Sequence, residues 1–402
     1  MNILMLTLLD FNTIHEPGIY QDLMREFEKR GDNIYIISPV ERKKCKSTYI
    51  IKNDNVTILK PKIGNIQKTN FIEKGISTVF IEPVLISAIK RYFFNVKFDL
   101  IIYSTPPITF CNAIAFVKRR DQAKSYLLLK DIFPQNAVDM EIISKTGAKA
   151  MIYKFFLSKE KKLYHISDYI GCMSQANVDY IVKHNPEINP EVVEVCPNCI
   201  EVIDKSVGIK TREIVRKKYN IPIDKKIFVY GGNLGKPQGI DFLIKCIYSQ
   251  RKNKEIFFLI VGDGTEYKKL EYFVQKFPQK NMKLMKRLPR QEYDTLVAAC
   301  DVGMIFLDHC FTIPNFPSRL LSYMQAKIPI LAVTDTNTDI GEIIVKGGFG
   351  WWCESNDLIS FDQIVNIALN TNKKEMANRE FQYLIDNYSS DIGYKIIMNH
   401  FK

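Results

Sequence analysis

The stretch from Tyr103 to Asp139 constrains the fold more than any other. An apolar strand over residues 99–103 runs into the rigid turn Ser104-Thr105-Pro106-Pro107, and a helix of small residues follows. A second apolar strand, Tyr126-Leu127-Leu128-Leu129, then ends on Lys130-Asp131 and a Phe-Pro turn. Strand, crossover helix, strand is the unit of a parallel sheet with helices on its faces. In such sheets ligands bind beyond the carboxyl ends of the strands. Asp131 stands at such an end, after a strand that needs no carboxylate to fold, which makes it the first candidate for chemistry.

The same alternation runs through the chain in two series. A strand over residues 3–9 is followed by a helix over 18–30, whose Ile19, Leu23, Met24 and Phe27 form an amphipathic stripe. Gly31 closes that helix, and a strand over 33–38 comes next. Strands over 225–230, 257–261, 302–307 and 328–333 make the second series, with a helix over 318–326. A polar stretch between Asn198 and Pro222 separates the two. At 402 residues the chain is too long for one ordinary core. The expected organisation is α/β, with an N-terminal domain over 1–200 and a C-terminal domain over 201–387.

Composition narrows the class. With 46% hydrophobic and 25% charged residues the chain is globular, not disordered. No run approaches the roughly 20 apolar residues of a membrane span. The apolar start, Met1 to Asp10, lacks a basic leader and a small-residue cleavage site and reads as a first buried strand. Nine scattered cysteines read as reduced core thiols of a cytoplasmic protein. Cys196-Pro197-Asn198-Cys199 has redox or zinc spacing, but no second C-x-x-C or H-x-x-x-H completes a metal site. His15, His165, His184, His309 and His400 show no ligand spacing, and only His15 lies in a strand–helix loop that can line a cleft.

The net charge of +12 is uneven: residues 42–97 hold twelve Lys and Arg against three Asp and Glu. Apolar residues from Phe71 to Phe94 lie there among Lys74, Lys90 and Arg91. That pattern fits an anionic membrane surface, unless the apolar residues simply pack on the sheet. No nucleic-acid motif with interleaved aromatics appears, so nucleic acid is not an expected partner.

Two segments of the second series can hold an anion. Gly231-Gly232-Asn233-Leu234-Gly235 stands between a strand and a helix, where glycines let backbone approach a phosphate, and Lys236 adds a charge. The spacing is neither G-x-G-x-x-G nor a Walker loop, which disfavours dinucleotide and ATP. In Asn315-Phe316-Pro317-Ser318-Arg319, Ser318 is positioned to cap a helix and Arg319 to grip a diphosphate bidentately.

The order of these segments resembles one group of bacterial family-4 glycosyltransferases, the fucosamine-transferase-like enzymes of capsule and O-antigen synthesis. The segments are the Tyr103–Asp139 stretch, Leu163-Tyr164-His165-Ile166-Ser167-Asp168, Cys196-Pro197-Asn198, the glycine turn, Val261-Gly262-Asp263-Gly264 and Pro317-Ser318-Arg319-Leu320-Leu321-Ser322-Tyr323-Met324. The resemblance implies a GT-B fold, two Rossmann-like domains facing a cleft, with the last helix (388–402) packing back on the first domain. It implies a retaining transfer from a nucleotide sugar, UDP-linked and carrying an N-acetylated deoxy sugar, to a polyprenyl-diphosphate-linked saccharide. The place of action is the cytoplasmic face of the membrane, held peripherally. Donor contacts fall to Gly18, Gly232, Asn233, Lys236, Ser318, Arg319 and Ser322, and the donor or acceptor pocket to His15, Lys130 and Asn315. Asp131 aligns with the catalytic-site position, and Lys130 beside it is expected to lower its pKa. No D-x-D triplet occurs, so the transfer is expected to need no metal and no cofactor.

The chain departs from that pattern. Relatives carry Arg and Lys where Asn233 and Gln238 stand, and two glutamates where Pro314 and Ser322 stand; Lys327 replaces a turn glycine. Either the donor is held differently or the protein is a degenerate, non-catalytic saccharide-binding subunit. A nucleotide-sugar epimerase of the same fold is the other rival, though its carboxylate and histidine clusters have no counterpart at these strand ends.

Overall fold

The computed structural model describes residues 1–66, 71–278 and 280–401, without the side chains of 71, 72, 74–76 and 373. Phe71, Ile72 and Lys74, which the membrane expectation included, therefore have side chains outside the described set. The chain divides into two compact units, one of Met1–Glu201 with Ser390–Lys402 and one of Val202–Ser389.

The first unit is built on an eight-stranded sheet. Its strands are β1 (Asn2–Leu6), β2 (Asn33–Ile37), β4 (Tyr49–Asn53), β5 (Val56–Lys60), β7 (Leu100–Ser104), β8 (Lys124–Leu129), β9 (Tyr169–Cys172) and β10 (Val193–Val195); β3 (Val40–Glu41) and β6 (Lys62–Ile63) form a separate pair. The order is β10-β9-β8-β7-β1-β2-β5-β4, parallel except where β4 runs against β5. Leu100, Ile101, Ile102 and Tyr103 are fully buried, as a strand covered on both faces requires. The helices are α1 (Ile19–Lys29), α2 (Phe71–Tyr92), α3 (Cys111–Asp121), α4 (Gln135–Asp139), α5 (Ala150–Ile166) and α6 (Gln175–His184). In α1 the stripe holds: Leu23, Met24 and Phe27 are buried, each such side chain stabilising by about 1.5–3 kcal/mol. Gly31, at φ 86, ends the turn that follows α1.

β1 stops at Leu6, earlier than the apolar run suggests. In the loop beyond it Asp10 pairs with the buried Lys60, whose Nζ reaches its carboxylate at 2.5 Å. The apolar run to Phe94 also divides: Ile81, Leu85, Ile89 and Phe93 are core, whereas Val79, Phe80 and Phe94 are exposed. A helix with buried residues at i, i+4 and i+8 spends that stripe on the sheet, as the competing reading of packed helices expects, and leaves its exposed side chains to any membrane surface.

The second unit alternates helix and strand until its last two helices. Its elements are α7 (Ile209–Lys218), β11 (Lys226–Asn233), α8 (Ile240–Ser249), β12 (Ile256–Asp263), α9 (Tyr267–Lys276), β13 (Met282–Met285), α10 (Arg290–Ala298), β14 (Val302–Phe306), α11 (Arg319–Ala326), β15 (Ile330–Thr334), α12 (Ile340–Lys346), β16 (Gly350–Glu354), α13 (Leu358–Asn370) and α14 (Lys373–Tyr388). The parallel sheet runs β13-β12-β11-β14-β15-β16, so the strand order reverses beside β11. A reversal point opens a crevice at the strand ends, and here it falls on the glycine turn.

α15 (Ser390–Met398) belongs to the first unit. Arg30, which follows α1, pairs with Asp391 at 2.5 Å and lies 4.0 Å over the Tyr394 ring. Beyond α15, His400 bonds Glu194 at 2.7 Å and stacks on Tyr169.

Candidate functional site

On the second unit, β11 delivers Tyr230-Gly231-Gly232-Asn233 to the crevice. A Cβ on Gly231 would fall 1.7 Å from the Tyr293 hydroxyl, and Gly232 adopts φ +122, a conformation that side chains resist. The opening left at Gly232 is occupied from the other side by Arg319, whose Nη2 lies 3.7 Å from where a Cβ would stand. The Arg319 guanidinium rests 4.4 Å over the Tyr230 ring, a cation–π contact. Its Nη1 is buried and has no hydrogen-bond partner. Among the described residues no carboxylate pairs with it; its electrostatic neighbours are Tyr230, Tyr323 and Tyr293. A buried cation with an idle donor is costly unless an anion completes it.

The same loop holds a second idle donor. Asn315 Nδ2 is buried without a partner, while the Asn315 carbonyl accepts from Thr338 Oγ1 at 2.6 Å. Ser318 occupies the N-cap position of α11, but its side chain makes no cap bond, which corrects the expected capping role. The amides of Leu320 and Leu321 turn back to Pro317 and Ser318. The Ser318 hydroxyl is thus left for other use, and Ser322 lies one turn further on the same face. Asn233 and Gln238, which replace cations of the resembled group, bond each other at 3.0 Å, and Gln238 also accepts from the Gly235 amide. They clasp the turn without charging it. Lys236 is exposed at the start of the following 3-10 turn.

On the first unit, Thr105 ties the ends of β7 and β8 together. Its hydroxyl accepts from the amides of Lys130 and Asp131 and donates to the Asp131 carbonyl at 3.0 Å. The Asp131 carboxylate is held by Asn136 Nδ2, at 2.7 and 2.8 Å to its two oxygens. Burial pushes its pKa up to about 6, against the opposing hydrogen bond from Asn136. This overturns the expectation that Lys130 keeps it low. Lys130 Nζ turns away and donates to the Cys196 carbonyl at 3.1 Å, near Cys172, Cys196 and Cys199, where burial lowers its own pKa. The cysteines are free thiols, and burial raises Cys196 and Cys199. Neighbours on a strand end point to opposite faces, so sequence adjacency was a poor guide to pairing.

The sequence did not single out Glu160 and Tyr164 of α5. Tyr164 donates to Glu160 at 2.7 Å, and burial first, then the field of Asp131, raises Glu160 to about 7. Tyr164 sits within a segment that carried the family resemblance, and that was its one available signal. Gly18 precedes α1 with extended backbone, its amide donating to Asp22, while His15 is exposed in the loop before it.

Comparison with known proteins agrees with this layout. Residues 211–383 match the family model of glycosyl transferases group 1. The probable glycosyltransferase WbjE of Pseudomonas aeruginosa is 24% identical over 335 residues, spanning 81% of this chain and 79% of the relative. The putative colanic acid biosynthesis glycosyl transferase WcaI of Escherichia coli (strain K12) is 22% identical over 251 residues, spanning 61% and 60%. The crystal structure of HepE from Anabaena in complex with UDP superposes with TM-score 0.69 at 14% identity, over 100% of this chain and 99% of HepE. The fold is therefore GT-B, and the match to the glycosyl transferases group 1 model spans residues 211–383, nearly the whole second unit.

Proposed function

We propose that the chain is a retaining glycosyltransferase that moves an N-acetylated deoxy sugar from a UDP-sugar to a polyprenyl-diphosphate-linked saccharide in capsule or O-antigen synthesis. The observation that carries the reading is Arg319: a buried guanidinium against the Gly232 turn, with Nη1 idle and no carboxylate partner among the described residues. A diphosphate supplies the missing acceptors. Asn315 Nδ2, the α11 amino end, Lys236 and Ser318 add neutral and charged donors, and these take the place of a metal. Ser322 offers a ribose hydroxyl one uncharged hydrogen bond. In transfer the bond from the sugar's anomeric carbon to the diphosphate oxygen breaks, and a bond to the acceptor oxygen forms. Asp131, with a pKa near neutrality, accepts the acceptor hydroxyl proton or steadies the developing oxocarbenium charge. HepE binding UDP and the polysaccharide role in the name of WcaI support the donor and the pathway class.

The test is calorimetric titration of UDP and a thermal-shift screen of nucleotide sugars, since a bound donor raises apparent stability. UDP binding that Arg319→Ala leaves unchanged in a folded protein would overturn the assignment. A second reading, a non-catalytic saccharide-binding subunit, is favoured by Pro314 and Ser322 standing where the resembled enzymes carry glutamates. UDP release on acceptor addition would exclude it.

A further inference from the structure

We propose that the amino-terminal half of α5, with the exposed edge of α2, is the surface by which the first unit docks on an anionic lipid bilayer. The inference deepens the acceptor class proposed above and rests on that reading for its purpose. Met151 and Phe155 of α5 are 80% and 50% exposed, and Ile152 between them is also exposed. Soluble helices seldom turn such a group to water, and a contiguous exposed apolar group marks an interaction surface. Residues 145–162 contain six lysines, Lys145, Lys149, Lys154, Lys159, Lys161 and Lys162, and a single acid, Glu160. That acid is buried and bonded by Tyr164, so the segment's own outward charge is positive, with Lys161 near its end paired to Glu187 at 2.9 Å.

Lys159 joins this face to α2. Its Nζ lies 5.9 Å over the Phe155 ring and 3.7 Å from Glu82, one turn along α2 from Val79, which is 63% exposed. An exposed apolar side chain of α2 thus stands one turn from the residue that Lys159 of α5 reaches. Apolar side chains that enter the headgroup layer, bordered by lysines, are the chemistry of a peripheral lipid contact. A protein partner of matching shape would need acids of its own, whereas a bilayer supplies anion and hydrocarbon together.

The inward side of α5 links the face to the candidate carboxylate. Phe156, beside Phe155, packs edge-on against Phe133 at 5.0 Å, two residues beyond Asp131. An acceptor anchored by its lipid would meet the face that borders the Asp131 turn.

The experiment is vesicle sedimentation of the full chain with phosphatidylcholine vesicles with and without phosphatidylglycerol. Binding should need the anionic lipid, by at least about tenfold in partition, and weaken with salt. The double variant Met151→Glu with Phe155→Glu should lose at least about tenfold. Ile359→Glu, at an exposed apolar position of the second unit, should lose nothing. Retention of binding by the double variant, absence of binding by the parent chain, or a dimer that the double variant dissolves without change in vesicle binding would each overturn the proposal. UDP titration on the same samples separates the two readings. Intact vesicle binding without UDP affinity would defeat the transferase reading alone, and intact UDP affinity without vesicle binding would defeat the docking surface alone.

Discussion

The two strand-end turns carry opposite charges, and among the described residues each lacks its counter-charge. At β11 a guanidinium is buried among tyrosines without a carboxylate. At β8 a carboxylate is held by an amide without a cation. A protein built only for stability would pair or remove both, because an uncompensated buried charge costs several kcal/mol. The difference lies in what completes each. Arg319 keeps its charge in any environment and waits for an anion, which makes it a binding group. Asp131 is shifted toward neutrality, which makes it able to exchange a proton.

The comparison breaks first at Asp131. Asp131→Asn keeps shape and removes charge, so kcat should fall by at least about 10²-fold while UDP affinity stays within about twofold. The raised pKa means that folding disfavours the ionised form, a cost that is absent below the unfolded carboxylate value and grows as pH rises toward about 6. The Asn variant should therefore lose no thermal stability at pH 7.5. Loss of stability in proportion to activity would make Asp131 a structural residue. In the parent enzyme the rate should fall as pH drops through about 6, as the base is protonated.

Arg319→Ala should show the reverse signature. UDP affinity should weaken by roughly 10- to 100-fold, the value of a charge-assisted contact of about 1.5–3 kcal/mol. Equal losses in affinity and in kcat at saturating donor would mean that Arg319 also acts in the transition state. A finer probe is Asn136→Leu, which removes the hydrogen bond that lowers the Asp131 pKa. The acid limb of the pH–rate profile should move upward, and an unmoved limb would assign that limb to another group, Glu160 first.

The smallest effect expected is on stability alone. Glu380 of α14 is fully buried, both its oxygens lack partners, and burial drives its pKa well above the usual value. Its neutral form is favoured in the fold, so stability is greatest below the unfolded glutamate pKa and declines as pH rises from there. Glu380→Gln should raise Tm at pH 8 by a few degrees, at roughly 2–4 °C per kcal/mol, and leave it unchanged at pH 4. An equal shift at both pH values would mean that packing, not ionisation, sets the effect.

The sequence made the alternation, the glycine turn, the Arg319 loop and the position of Asp131 legible, because these follow from periodicity and turn chemistry along the chain. It did not show which way Lys130 points, because that depends on strands β9 and β10 and the Cys196 carbonyl they bring near. It left the apolar run of α2 open between a membrane surface and packing on the sheet, because a stripe buried on a sheet and one bound for lipid look alike until the sheet is placed. The idle nitrogens of Asn315 and Arg319 were invisible for the same reason: a missing partner is a property of the assembled surroundings.

The placement of α15 has a consequence for synthesis. The second unit is one uninterrupted stretch, while the first needs residues from both sides of it. On the ribosome, Val202–Ser389 can reach its final structure while α1 still lacks the Tyr394 ring and the Asp391 carboxylate that cover it. The part of the protein made first is therefore the part finished last. Until then its exposed α1 face is a natural target for holding chaperones.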